Sequence, residues 1–350
     1  MTSLPVSLAT HAAVAELRGL PLFGELSEEE LVIFTHGLER RHFAQGESLF
    51  RQGERAESAF LIVEGEAEIL SRLPGGEELA VATVGPGELV GEMSLLGDGA
   101  RSASVRFTRP TSGFMMSQRF FRASIAQHDA AAFCITRHIS RLVAMRLRSL
   151  NAQIVSLASM HATEGLATPE PGRRDVGPGR EPDFEVTDFL PRLAIFRELG
   201  ARDIARLLRR GRVVTLSAGV RLFAEGDPAS TLLVVLRGAL AMSCSQQGRR
   251  YALEVVGPGK VCGLDDVLAS SARARACQAV SETTVFELDA AAFRELEAQQ
   301  SWLSHCFQQA LCDALLESLA RANRRLAHEV TRTAMAESQP ISSVSGRLRS

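Results

Sequence analysis

Apolar residues in this chain fall mostly in short runs bounded by glycine and proline. Stretches 59–63, 67–70 and 79–84 have the length and composition of β-strands, with turn residues between them. Ahead of them, Ser27-Glu28-Glu29-Glu30 places a capping hydroxyl three residues before a glutamate, the pattern of a helix start. Behind them, 117–158 reads as helix. Within it Val143, Leu147, Leu150, Ile154 and Leu157 recur at spacings of four and three. That stripe suits a helix pairing with a second chain, and equally one packed on its own domain. A second helical stretch, 290–331, carries Leu316, Leu319, Asn323, Leu326 and Val330 in a similar rhythm.

The succession of helix start, short strands and long helix occurs twice. Phe23, Gly46, Phe50, Gly53 and Gly65 return 173 residues later as Phe196, Gly219, Phe223, Gly226 and Gly238. Gly85-Pro86-Gly87 and Gly91 return after 172, as Gly257-Pro258-Gly259 and Gly263. The lost residue falls where Pro74-Gly75-Gly76 faces Gln246-Gln247-Gly248, two turn-like segments that tolerate a deletion. So many glycines held in one register mean an internal duplication. This divides the chain into an N-terminal segment 1–19, a domain 20–158, a linker 159–187, a second domain 188–331 and a tail 332–350. The linker holds Pro169, Pro171, Gly172, Gly177, Pro178, Gly179 and Pro182, a composition that supports no packed element. The Ser-rich tail is expected to be disordered.

Composition narrows the function. The chain has 350 residues, room for two sizeable cores, and a net charge of −2, which gives no general attraction to nucleic acid or an anionic membrane. No apolar run reaches the length of a membrane span, and 1–20 lacks the basic start and apolar block of a signal peptide. The six cysteines are scattered without disulfide or metal spacing, as expected of reduced thiols in a cytoplasmic protein. The eight histidines lie on helices, tails or linker except His42, and no Ser-His-Asp or Cys-His set stands out. An enzyme, a metal or a resident cofactor is therefore not expected.

The candidate chemistry is concentrated at 91–103. Gly91 and Glu92 are followed nine residues later by Arg101, then Ser102 and Ala103. Glycine admits close backbone approach, arginine holds a phosphate and a carboxylate accepts from a sugar hydroxyl. In isolation a structural Glu92–Arg101 pair beside a glycine-rich turn is the commoner explanation. The second copy has Gly263 and Arg273, but Leu264 stands at the glutamate position, Arg275 replaces Ala103, and Asp265 and Asp266 add negative charge.

Together, Phe50-Arg-Gln-Gly53, Ile62-Val-Glu-Gly65, Gly85-Pro-Gly87, Gly91-Glu92 and Arg101-Ser-Ala103 resemble the cyclic nucleotide-binding domain. That family includes catabolite activator proteins and regulatory subunits of cAMP-dependent protein kinase. The resemblance implies a mainly β fold with flanking α: two jelly-roll-type β-rolls, each followed by a C-terminal helix. It also implies that Arg101, with the free N–H groups of a helical turn at Met93 and Ser94, holds the cyclic phosphate. Glu92 would take the ribose 2′-hydroxyl, and Ser102 and Ala103 would add backbone N–H groups. Ile69 and Val81 would wall the base, with Arg146, Leu150 or Asn151 capping it. Ala100 stands where many members have proline before the arginine. Gly263, Leu264 and Arg273 mark a degenerate second site. cAMP is the expected ligand by family frequency; Ser102 does not discriminate it from cGMP.

The expected function is a non-enzymatic cytoplasmic receptor in which nucleotide binding to the first domain repositions the following helix to regulate a partner protein. Alternatives are a duplicated β-roll scaffold that has lost nucleotide binding, or one that takes a cyclic dinucleotide. A homodimer through helices near 139–157 and 316–330 is a further option. DNA binding is not expected, because fewer than twenty-five residues follow the last helix. A basic kinase-inhibitor segment is not expected either: 1–20 holds only Arg18.

Overall fold

Alternation of apolar and polar positions in short runs produces sixteen strands among the described residues of a computed structural model, which are 8–72, 77–97, 99–160, 180–246 and 248–337. The chain divides into two compact units, Met1–Ile139 and Ser140–Ser350. The first contains β1 (Leu38–Phe43), β2 (Ser48–Phe50), β3 (Ser58–Glu64), β4 (Ala67–Arg72), β5 (Glu78–Val84), β6 (Leu89–Val90), β7 (Ser104–Phe107) and β8 (Thr111–Ser117). They form two antiparallel four-stranded sheets, ordered β1-β8-β3-β6 and β2-β7-β4-β5. Phe50, Phe60, Ile62, Val90, Val105 and Phe107 form the core, and Phe60 meets Phe107 edge-on at 5.9 Å. The helices are α1 (Leu8–Arg18), α2 (Glu28–Thr35), α3 (Met93–Leu96), α4 (Gln118–Ala126) and α5 (Ala130–Met160), whose later turns belong to the second unit.

The second unit repeats the plan with β9 (Arg212–Leu216), β10 (Arg221–Phe223), β11 (Thr231–Arg237), β12 (Leu240–Gln246), β13 (Arg249–Val256), β14 (Val261–Cys262), β15 (Ala276–Ala279) and β16 (Thr283–Asp289). Its sheets run β14-β11-β16-β9 and β10-β15-β12-β13. The accompanying helices are α6 (Val186–Phe189), α7 (Ala201–Leu208), α8 (Leu264–Leu268), α9 (Ala290–Ala298) and α10 (Trp302–Glu337). The expected pair of β-rolls with flanking helices is present.

Gly65 shows why the repeated glycines keep register. Its φ is +102°, and a Cβ there would lie 2.6 Å from the Pro110 carbonyl oxygen and from Thr111 Cα. Gly238 takes φ +82° against the corresponding Thr283, whose Cα would stand 2.8 Å from a Cβ. In each copy the threonine hydroxyl accepts from the N–H after the glycine, Glu66 or Ala239, at 3.1 Å.

The expected helix start at Ser27 is a reciprocal cap: Glu30 N–H donates to Ser27 Oγ at 3.3 Å and Ser27 N–H to Glu30 Oε2 at 2.8 Å. Four features correct or decide the sequence reading. Segment 1–19 contains α1, which buries Val14 and Leu17; the short Ala-rich repeat of apolar positions concealed it. The linker is structured from Arg180, which exchanges two backbone hydrogen bonds with Thr215, of 3.2 and 2.9 Å. Helix α10 runs past 331 to Glu337; residues 338–350, the rest of the expected tail, lie outside the described residues, as do 161–179. Finally, Val143, Leu147, Leu150 and Ile154 are buried within the chain itself and Leu157 is half-buried, so the stripe packs internally, the second of its two sequence solutions. In α10, Leu319 is buried while Asn323 and Val330 are exposed.

Candidate functional site

The first cassette lies where β6 turns into α3 and where the chain returns into β7. Gly91 has φ +77°, and a Cβ on it would lie 2.5 Å from Arg101 Nη1 and 2.8 Å from Phe50 Cε2. Only glycine lets the arginine lie flat against the turn. Arg101 is 8% exposed, and its guanidinium carbon stands 3.4 Å over the Phe50 ring. Nη1 donates to Ser94 Oγ and Nη2 to Ser58 Oγ, each at 3.3 Å. Ser94 is itself held, donating to the Ser58 and Gly91 carbonyls at 2.6 Å. The Arg101 backbone is clamped by Glu54 and Gly53 through bonds of 2.8 and 2.9 Å. Burial lowers the Arg101 pKa, opposed by the nearby charges of Glu54 and Glu92. No carboxylate of the described residues stands within ion-pair distance of it.

Glu92 and Met93 are half-buried at the start of α3, and Ser102 is exposed with Ala103 half-buried beside it. Gln118 fixes the far end of α3 by donating to the Ser94 and Gly97 carbonyls at 2.6 and 2.9 Å. Ile69 pairs with Val105 on β7 and Ala82 on β5. The register shifts between Ile69 and Leu70, and the extra residue opposite is Val81, which is 54% exposed. Thus Gly91, Glu92, Met93, Ser94, Arg101, Ser102 and Ala103 come together, with Ile69 and Val81 on the neighbouring strands of the sheet that contains β7. Arg146, Leu150 and Asn151, the possible base cap, belong to the second unit: Arg146 is exposed, Leu150 buried, and Asn151 lines a cavity with Leu253 and Arg321. Sequence reasoning missed Ser58 as a partner of Arg101. The signal was in the repeat, since hydroxyls stand at both Ser58 and Thr231.

The second cassette keeps the scaffold and fills the space. Arg273 lies 4.1 Å over Phe223, as Arg101 lies over Phe50, and Gly263 keeps φ +76° beside it. Its two terminal nitrogens are engaged within the fold: Nη1 reaches the Gly263 carbonyl at 2.9 Å, and Nη2 the Thr231 carbonyl and, at 3.2 Å, Thr231 Oγ1, while Nε is buried without a partner. Asp266, fully buried, lies 3.8 Å from Arg273. Arg275 donates to Asp265 Oδ2 at 2.6 Å and Glu254 Oε1 at 3.3 Å, and burial is outweighed by these acids, so its pKa is raised. Leu264 is buried. A cavity lined by Leu264, Asp265 and Arg275 is about 10 Å³, and a neighbouring one of about 220 Å³ is lined by Leu147, Asn151, Leu253 and Arg321. From α5, Arg148 donates to Asp266 Oδ1, which also accepts from Ala274 N–H at 3.2 Å. Burial first, then Asp265, raises the Asp266 pKa despite these partners. Leu253, at the position of Val81, is 4% exposed beneath Leu147, Ala322 and Arg321.

Among the described residues no helix is long and apolar enough to cross a membrane, and no three His, Cys, Asp or Glu side chains are grouped to hold a metal. The family profile described as "Cyclic nucleotide-binding domain" matches residues 40–128 and 213–300. The cyclic AMP receptor protein of Thermus thermophilus is 32% identical over 151 residues, 43% of this chain and 68% of that protein. The cAMP-dependent protein kinase regulatory subunit of Mycosarcoma maydis is 40% identical over 89 residues, 25% of this chain and 17% of that one. A solved structure of the regulatory domain of Toxoplasma gondii PKA with cAMP is 18% identical, covers 83% of this chain and 93% of its own, and has a TM-score of 0.31.

Proposed function

The chain belongs to the cyclic nucleotide-binding domain family, and we propose that it is a receptor in which only the first domain takes a cyclic mononucleotide, with cAMP as its ligand. One observation carries the reading: Arg101 is a buried guanidinium whose side-chain partners are two neutral hydroxyls at 3.3 Å. A desolvated cation without a counter-charge in contact favours an anion at that place. A cyclic phosphate supplies one negative charge with oxygens arranged for the guanidinium fork. Glu92, next to Gly91, takes the ribose hydroxyl, and the N–H groups of Met93, Ser102 and Ala103 complete the phosphate contacts; the Ser94 N–H, also expected there from the sequence, instead donates to the Gly91 carbonyl at 3.1 Å. Exposed Val81 and its neighbour Ile69 offer the base an apolar wall, as Leu253 would if it were not already covered.

The second domain is the readout in this proposal. Its cassette arginines face acids of their own domain, and Asp266 holds Arg148 on the helix that starts in the first unit. Nucleotide and helix position are then linked equilibria, because ligand that prefers one helix arrangement shifts its population. The output is regulation of a partner protein in the cytoplasm, without catalysis by this chain.

The test is a calorimetric titration of the full chain with cAMP and cGMP, with hydrogen exchange of 140–160 followed in parallel. Saturable cAMP binding that changes exchange in that helix supports the receptor. Absence of binding by either nucleotide favours the scaffold reading instead.

A further inference from the structure

The duplication allows one surface to be compared with its own ancestor at equivalent positions. Residues 24–39, containing α2, hold five glutamates and neither lysine nor arginine. The corresponding stretch 197–212, containing α7, holds six arginines against Glu198 and Asp203. The fold at both places is the same: Ser117 and Asp289 begin α4 and α9, and His128 and Gln300 both adopt positive φ, +57° and +43°, before the next helix. The charge has inverted while the backbone has not.

In the second unit this inversion surrounds a cavity of about 400 Å³, lined by Arg206, Arg209, Arg210, Gln299, Ser301 and Leu303. Arg206 pairs loosely with Asp203 at 3.6 Å and stays 66% exposed at its side chain. Arg210 donates to Gln299 Oε1 at 2.9 Å, which points its guanidinium along the wall. The Arg209 side chain has no hydrogen bond or ion pair among the described residues, its backbone N–H alone donating to the Ala205 carbonyl at 3.3 Å. In the first copy the three arginine positions are Ile33, His36 and Gly37. The same contrast holds at the neighbouring helix start. There Asp129 caps α5, accepting from Ala131 and Ala132 N–H at 2.8 and 3.2 Å, whereas neutral Ser301 caps α10 through Ser304 N–H at 3.3 Å. An acid that would repel an anion is present where the arginines are absent, and absent where they are present.

The geometry points to an anion-binding site in the second domain, formed by Arg206, Arg209 and Arg210, for a ligand bearing a multiply charged phosphate group. Three guanidinium groups around one cavity favour phosphate oxygens, which accept forked hydrogen bonds and spread two or more charges among them. A cavity of this volume also admits more than the phosphate alone. The site is separate from the cassette of Arg273 and Arg275, and it does not depend on nucleotide binding by Arg101.

Inorganic pyrophosphate is the probe, titrated by calorimetry against the full chain. Wild type and Arg101→Ala are expected to bind it equally. Arg209→Ala should weaken binding about tenfold, and the triple change of Arg206, Arg209 and Arg210 to alanine should remove it, with binding falling as salt is added. Arg202→Ala, on the same helix outside the cavity, should leave it unchanged. All four positions are surface ones, so circular dichroism is expected to confirm folding. A phosphoserine peptide in a second arm distinguishes a free phosphate ligand from a phosphorylated protein segment; arginine-dependent binding of either supports the site. Equal binding by wild type and the triple variant, loss on Arg101→Ala alone, or binding only to phosphatidylserine vesicles would overturn it.

Discussion

Arg101 and Arg273 descend from one position and lie over equivalent phenylalanines, yet one waits for a charge and the other has been given one. The first guanidinium has neutral hydroxyl partners and an exposed strand beside it. The second has two carbonyls, a threonine hydroxyl and a buried aspartate around it. The difference teaches that one glycine–arginine–phenylalanine scaffold can hold its cation in two electrostatic settings. In the second, Asp265 pairs with Arg275 and Asp266 with Arg148.

The comparison breaks most visibly at its arginines. Replacing Arg101 by alanine should lower cAMP affinity at least about a hundredfold, since charge-assisted hydrogen bonds contribute roughly 1.5–3 kcal/mol each; isothermal titration measures it. Arg275→Ala acts on stability instead. It leaves buried Asp265 without its guanidinium and should cost about 3 kcal/mol in urea unfolding, as when one partner of a buried pair is removed. The double change with Asp265→Ala should cost less than the sum of the two singles. Gly91→Ala is expected to reduce cAMP affinity about tenfold, because its Cβ displaces Arg101 and φ +77° disfavours a side chain.

Smaller effects sharpen the comparison in the second copy. Asp266 has a raised pKa in the fold, so its carboxylate weakens stability above that pKa and the cost disappears as pH falls through it. Wild type should therefore gain stability relative to Asp266→Asn between neutral pH and mild acid, in urea melts at each pH. Thiol labelling gives the least change. Burial and Glu225 push Cys244 up to about 11, and burial pushes Cys312 to about 12, so both should resist iodoacetamide at neutral pH until the chain unfolds.

Glycine register made the duplication legible, because Gly65 and Gly238 cannot be replaced without striking the threonine that follows each β-roll turn. The first cassette was legible for the same reason: Gly91 and Arg101 are coupled by one contact at fixed spacing. The altered chemistry of the second was also readable at Leu264 and Arg275. The partners of its acids were not readable. Arg148 lies 118 residues from Asp266 in sequence, and nothing local to its helix distinguishes it from the arginines at 137, 141 and 146. The Val143–Ile154 stripe had two sequence solutions, and its burial within the chain is decided by tertiary packing. Helix α1 was hidden because its apolar face rests on Val14 and Leu17 within a stretch of alanines.

The most direct test of the two-cassette account is the stoichiometry of cAMP binding by equilibrium dialysis, for wild type, Arg101→Ala and Arg273→Ala. The account expects one cAMP per chain in the wild type, none in Arg101→Ala, and one at unchanged affinity in Arg273→Ala if that variant remains folded by circular dichroism. Two cAMP molecules per wild-type chain, or binding that survives Arg101→Ala and disappears with folded Arg273→Ala, would contradict it.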